Sequence, residues 1–225
     1  MNSNVGATHK EKNIYLWLTK FTNRNKKPEK TFCGTESRSL RTPSTDTTKH
    51  IATMNHPIRF TTPEEAVKVI KSGDHVHLSS VASVPQILVR AMTARGEAGE
   101  LQHVHIHHLH TEGEALYAVP EMEGIFQLDS FFVGGNVRNI TQQGFADYIP
   151  VFLSETQRLY RDGILPCNVA MIQVSTPDRH GYVSLGTSVD ATLAAVECAD
   201  TVIAVVNRHV PRSFGDSFIH TSQID

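Results

Sequence analysis

Cysteine is scarce in this sequence: Cys33, Cys167 and Cys198 are three in 225 residues. An odd, widely spaced set excludes a disulfide framework and fits a reducing compartment. Long hydrophobic runs are missing too. No stretch approaches the ~18 consecutive apolar residues of a membrane span, and a run such as Val202 to Val206 has the length of a buried strand. Strong net charge is absent, with 21 Lys and Arg against 23 Asp and Glu. There is no G-x-S-x-G elbow, which argues against a serine hydrolase of that type. The complete dinucleotide fingerprint G-x-G-x-x-G is also lacking. Residues 54–225 contain no internal repeat and no long low-complexity tract.

The charge that is present is unevenly spread. Residues 1–53 carry ten Lys and Arg against four Asp and Glu, and residues 54–225 carry eleven against nineteen. An acidic body cannot assemble the clustered cations that phosphates need, so no nucleic-acid partner is expected. The first 53 residues are rich in Lys, Asn, Thr and Ser, and only Ile14 to Phe21 is notably apolar. Such a segment buries too little surface to offset its ordering entropy, and it is expected to be a disordered basic extension. It lacks the apolar core and cleavage site of a secretory signal. A cytoplasmic protein is expected. The alternative is a mitochondrial one, if the basic, hydroxyl-rich extension is a transit peptide. Met54 opens the expected ordered domain, 54–225, and is a candidate start of translation.

From there the pattern alternates. Thr62-Pro63-Glu64-Glu65 reads as a capping box for a helix running towards Gly73. His75 to Ser80 alternates like a strand, and Pro85 to Met92 reads as a helix. His103 to Leu109 and Ser130 to Val133 read as strands, with helix over Arg138 to Ala146. Ser154 caps a helix to Asp162. Asn168 to Val174 is a strand, Val189 to Cys198 a helix, and Thr201 to Val206 a β-branched strand. This order predicts an α/β fold: an open, mainly parallel sheet with helices on both faces. Ligands of such folds sit outside the C-terminal strand ends. Three loops have that address: Ser79 to Pro85, Gly134 to Arg138, and Ser175 to Gly186.

Gly134-Gly135 with Arg138 suits an anion, because glycines let backbone N–H groups approach it. Pro177-Asp178 fixes a turn, and Gly181 and Gly186 allow close backbone approach. His103, His105, His107, His108 and His110 invite a metal reading. Residues i and i+2 of one strand lie roughly 7 Å apart, whereas zinc needs ligands at ~2.0–2.1 Å. A single strand does not achieve that, and no metal site is expected. Ser217 and His220, close in sequence, suit a structural turn over Arg212 to Ser217 that leads into a strand. Cys167 has no basic neighbour to make it a nucleophile.

Several blocks together resemble a known family: Ala66 to Asp74 (AVKVIKSGD), Phe131 to Arg138 (FFVGGNVR), Ala146 to Pro150 (ADYIP), Gly163 to Val174 (GILPCNVAMIQV), Ser175 to Gly186 (STPDRHGYVSLG) and Pro211 to Asp225 (PRSFGDSFIHTSQID). From about Pro57 onward the chain resembles the N-terminal half of the acetyl-CoA hydrolase/transferase family. Acetate, butyrate, succinate and 4-hydroxybutyrate CoA-transferases belong to it.

The resemblance implies two facing α/β halves with the active site between them. It implies a glutamate that attacks the acyl-CoA thioester, and glycine-rich amides that stabilise the oxyanions. Both belong to the family's second half. No G-x-G-G occurs here, and none of Glu112, Glu114, Glu121 and Glu123 matches the nucleophile, so no catalytic residue is assigned. Ser79, Ser80, Pro85 and Gln86 match a loop that lines the acyl pocket. Gly134, Gly135 and Arg138, with Asp178, His180 and Gly181, are expected to border the cleft. Ser83 and Val84 depart from the family's commoner small-polar pattern, which leaves the acyl preference open. CoA and acyl-CoA are substrates rather than cofactors. The implied partners are small carboxylic acids and a C-terminal half or second subunit. Without that half, exposed apolar surface is expected to make the chain a homo-oligomer or poorly soluble. Net acetyl-CoA hydrolysis and a non-catalytic acyl-CoA-binding domain are the alternative functions.

Overall fold

The computed structural model describes the strand Ile14–Trp17 and residues 60–225. The boundary expected near residue 54, and the rest of the basic extension, lie outside the described residues. Ile14–Trp17 is β1, in the one apolar stretch of that extension.

Thr62 caps α1, Pro63–Ala66, by accepting the Glu65 N–H at 3.3 Å. The helix is shorter than expected and tightens into a 3-10 turn, Val67–Val69. β2 is His75–Leu78, and α2 is Gln86–Glu97. α2 outruns its expected end at Met92. Gly96 does not stop it: a Cβ there would lie 2.6 Å from the Phe126 ring, so glycine lets the helix press on the sheet. β3, Val104–His108, starts later than expected, because His103 takes a positive φ of 53° outside the strand.

β4 is Phe126–Ser130. The strand expected at Ser130 to Val133 is therefore displaced toward the N-terminus, and Phe131 to Val133 belong to the loop beyond it. α3 is only Arg138–Gln142, and Ala146, expected in that helix, instead begins β5, Ala146–Tyr148. Ser154 caps nothing. It lies in a 3-10 turn, Leu153–Glu155, ahead of α4, Thr156–Arg161. β6 is Val169–Val174, β7 Tyr182–Ser184, α5 Asp190–Cys198, β8 Thr201–Asn207 and β9 Phe218–His220.

The main sheet runs β1-β8-β6-β2-β3-β4-β5. Six strands are parallel, and β1 joins antiparallel at the edge beside β8. Burial on both sides explains the apolar runs Val169–Ile172 of β6 and Val202–Val206 of β8. One core holds Ala66, Leu88 and Met92 against Val76, Leu78, Ile106 and Met171. The other holds Ala191, Ala194 and Ala195 of α5 and Tyr160 of α4 against Ala170, Ile172 and Ala204. The expected open parallel sheet with helices on both faces is what forms. β7 and β9 make a separate antiparallel ribbon. No described helix is long and apolar enough to cross a membrane.

Candidate functional site

The parallel strands end together, so the loops after β2, β3, β4 and β6 share one edge of the sheet. After β2, Ser79 and Ser80 are buried. Ser80 Oγ donates to Asp190 Oδ1 at the start of α5 (3.3 Å), and Gln173 Nε2 of β6 donates to Ala82 O (3.3 Å). The Val81 N–H donates to His110 O at 2.7 Å, locking this loop to the one after β3. Pro85 is buried at the N-cap of α2, where its missing N–H costs nothing. Gln86, one residue on, donates through Nε2 to Glu112 O at 2.7 Å.

Val81 adopts this geometry with φ of 51°, a region that a β-branched residue strongly disfavours. Its side chain is 40% exposed, so little packing offsets the strain. Val81→Gly is expected to raise unfolding free energy by about 1 kcal/mol in urea denaturation, at the cost of a less fixed loop.

The loop after β4 closes on the same neighbours. Asn136 Nδ2 donates to Thr111 Oγ1 (3.0 Å) and to Gly113 O (3.2 Å). A Cβ on Gly134 would lie 2.8 Å from the His110 ring, so only glycine fits there. Gly135 faces open space, and Arg138 is exposed at the first residue of α3. Phe132 is 54% exposed and tilts against His110 with ring centroids 5.6 Å apart. Ser79, Ser80, Pro85, Gln86, Gly134 and Gly135 are thus drawn around the segment 110–113. Sequence reading assigned that segment no site residue, although Thr111-Glu112-Gly113 carries a turn glycine with φ of 88°. Asn136, Gln173 and Asp190 were missed as well, because what they do is hold loops.

Several polar atoms near this edge are buried and lack a protein partner among the described residues. They include Ser79 Oγ, Gln86 Oε1, both ring nitrogens of His108, and Ser188 Oγ. Such groups are rare in folded chains and call for a reason.

Asp178, His180 and Gly181 form a second group, held to Arg212 and the β7–β9 ribbon. Asp178 Oδ1 accepts the N–H groups of Tyr182 (2.9 Å) and His180 (2.8 Å), and Oδ2 pairs with Arg212 at 3.1 Å. The Tyr182 amide, then the His180 amide and Arg212, hold this exposed carboxyl below the ordinary carboxylate range. Arg212 also donates to Thr176 O at 3.0 Å and lies over the Phe218 ring. Gly181 has φ of 81°, and a Cβ there would lie 2.8 Å from His220 Nε2. Asp178 and Gly181 therefore build the turn, which leaves His180 exposed on it. His220 binds Ser222 Oγ at 2.8 Å, a structural role. Burial pushes the Cys167 thiol up to about 12, which removes it as a nucleophile.

Residues 45–225 match the Acetyl-CoA hydrolase/transferase N-terminal domain. The chain belongs to the acetyl-CoA hydrolase/transferase family. It is 38% identical over 161 residues to a succinyl-CoA:acetate/propanoyl-CoA:succinate CoA transferase of Fasciola hepatica, covering 72% of this chain and 33% of that protein. It is 39% identical over 167 residues to a 4-hydroxybutyrate coenzyme A transferase of Clostridium kluyveri, covering 74% of this chain and 38% of that one. Among solved structures, RipA from Yersinia pestis aligns with a TM-score of 0.68 at 29% identity, over 73% of this chain and 40% of RipA. A 4-hydroxybutyrate CoA-transferase from Porphyromonas gingivalis aligns with a TM-score of 0.60 at 31% identity, over 73% and 37%. As an N-terminal region of the acetyl-CoA hydrolase/transferase family, the chain spans little more than a third of the length of these relatives.

Proposed function

We propose that this chain supplies the N-terminal wall of the cleft in an acyl-CoA:carboxylate CoA-transferase, one that moves CoA between an acyl-CoA and a small carboxylate such as acetate. The observation that carries the reading is the pair of unpartnered buried oxygens, Ser79 Oγ and Gln86 Oε1, where three strand-end loops converge. A hydroxyl and an amide oxygen suit the carbonyl and amide groups of an acyl-pantetheine arm, giving orientation rather than covalent chemistry. Gly135 faces open space and keeps the backbone there open to approach, and Arg138 supplies a positive charge for a phosphate or carboxylate.

The covalent step belongs to a glutamate of the C-terminal half, as in the family. Its carboxylate attacks the thioester carbonyl and expels CoA thiolate, leaving an acyl-glutamyl anhydride. The thiolate returns to the glutamyl carbonyl and releases the first carboxylate. The acceptor carboxylate then attacks the glutamyl-CoA thioester, forming a new anhydride and expelling CoA thiolate. That thiolate attacks the acyl carbonyl and restores the glutamate.

Labelled acetate tests the proposal in the complete enzyme. Label entering acetyl-CoA is the expected result. CoA release without exchange would mean hydrolysis, and binding without turnover would mean a carrier subunit. Ser79→Ala is expected to lower kcat/KM roughly tenfold, the worth of one hydrogen bond of about 1.4 kcal/mol.

A further inference from the structure

A cluster of nitrogen and oxygen donors sits on the sheet face covered by α4 and α5. It is assembled from three neighbouring strands. The parallel register sets His75 of β2 opposite His105 of β3, and His107 of β3 opposite Asp129 of β4. Neighbouring strands are only about 4.8 Å apart, so side chains across strands converge where those along one strand diverge. The sequence expectation of no metal weighed β3 alone. It did not have β2 and β4 beside it.

The geometry points to a site for one divalent transition-metal ion of the zinc type, with His75, His105 and Asp129 as ligands. One donor atom from each of the three lies within 4.8 Å of the others. His105 Nδ1 is 2.8 Å from Asp129 Oδ2. A tetrahedral ion with ligands at about 2.0–2.1 Å needs donor spacings of about 3.3 Å, so the side chains must turn to bring the donors closer. Two imidazoles and a carboxylate are the donor set that such ions favour. The His75 and His105 rings stack with centroids 4.4 Å apart and planes 12° from parallel, so binding must open the stack and turn the rings until their in-plane lone pairs converge.

Support for the ligands is present. His107 is fully buried, and its Nε2 lies 3.3 Å from Asp129 Oδ2 and 3.0 Å from His75 Nδ1. It is a positioning residue for both, of the kind that orients metal ligands. An approach path exists as well: the His105 side chain is 36% exposed, while Asp129 is 12% exposed beneath it. A fourth position is left for water or a ligand on that side. Each imidazole can keep its single proton on the nitrogen turned away from the ion. Binding then requires a change of tautomer and leaves Asp129 as the one anionic ligand.

Cobalt(II) titration of the chelator-treated full chain tests this, followed by visible absorption, with zinc competing. One equivalent of cobalt giving intense tetrahedral bands, displaced by zinc, is the expected result. His105→Ala and Asp129→Asn should each weaken binding at least tenfold, since losing a ligand costs no less than the ~10–100-fold lost when an outer-shell partner is removed. His103→Ala, at an exposed position outside the strand, should leave it unchanged. Because His105 is part-exposed, its alanine variant is expected to fold, and circular dichroism will verify this. Absence of stoichiometric binding, or equal affinity in His105→Ala and the unaltered chain, would overturn the proposal.

Discussion

Replacing His108 with leucine is expected to stabilise the chain, by about 2 kcal/mol at pH 7 and by roughly 4 kcal/mol at pH 5. His108 is completely buried at the end of β3, packed edge-on against Tyr117, with neither ring nitrogen in a well-formed hydrogen bond and only a weak contact to the Leu109 backbone. A buried polar group without a partner costs about 1–3 kcal/mol, and an apolar side chain of similar size avoids it. The pH dependence follows from linkage. Burial, with help from His110 and His107, lowers the His108 pKa from 6.5 to about 3. Between those values the unfolded chain holds a proton that the folded chain does not. Stability is therefore full above 6.5 and is lost as pH falls toward 3, by about 2 kcal/mol between pH 7 and pH 5. Leucine removes that slope along with the burial cost. Urea denaturation at the two pH values, with a chelator present, reads both. If leucine destabilises, the contact of His108 with the Leu109 backbone is worth more than its burial costs.

Gly186→Ala is expected to cost about 3 kcal/mol. Its φ is 70°, and a Cβ there would lie 2.4 Å from Val210 Cγ1 and 3.4 Å from Pro211 O. Part of the cost is the left-handed backbone, about 1–2 kcal/mol. The rest is overpacking, about 1–3 kcal/mol, because the contact falls on a stiff, β-branched and buried neighbour. Gly99→Ala is the contrast. It shares a positive φ of 77° but meets nothing within 4 Å, so only the backbone cost applies. A midpoint shift in urea for Gly186→Ala no larger than that for Gly99→Ala would show that Val210 can move.

The alternation of β-branched runs with capped helices made the sheet legible. β6 and β8 were read to within a residue, because a parallel strand buried on both faces carries an apolar run with no competing interpretation. The errors sit where tertiary contact overrides local pattern. Ser130 to Val133 is as strand-like as Phe126 to Ser130, and pairing with β3 chooses the earlier register. α2 runs past its expected end at Met92 because Gly96 lets it press on Phe126. The pairing of β7 with β9 was not read, because three-residue strands 36 positions apart leave no periodic signal. Ser79 and Gly134 were legible as site candidates from strand-end position and glycine, and Gln86 from the family resemblance. The segment 110–113, which joins their loops, was not, since much of its work is done by the carbonyls of His110, Glu112 and Gly113, which any sequence carries. The histidine cluster was visible only as a row on β3, because strand order is not written in any one strand.

Amide hydrogen exchange of the complete enzyme, with and without acyl-CoA, tests most directly whether this edge of the sheet lines the substrate cleft. The account predicts slowed exchange at 79–86, at 110–113 and at 134–138, with little change along α2. Turnover accompanied by protection elsewhere, and none in those three loops, would contradict it.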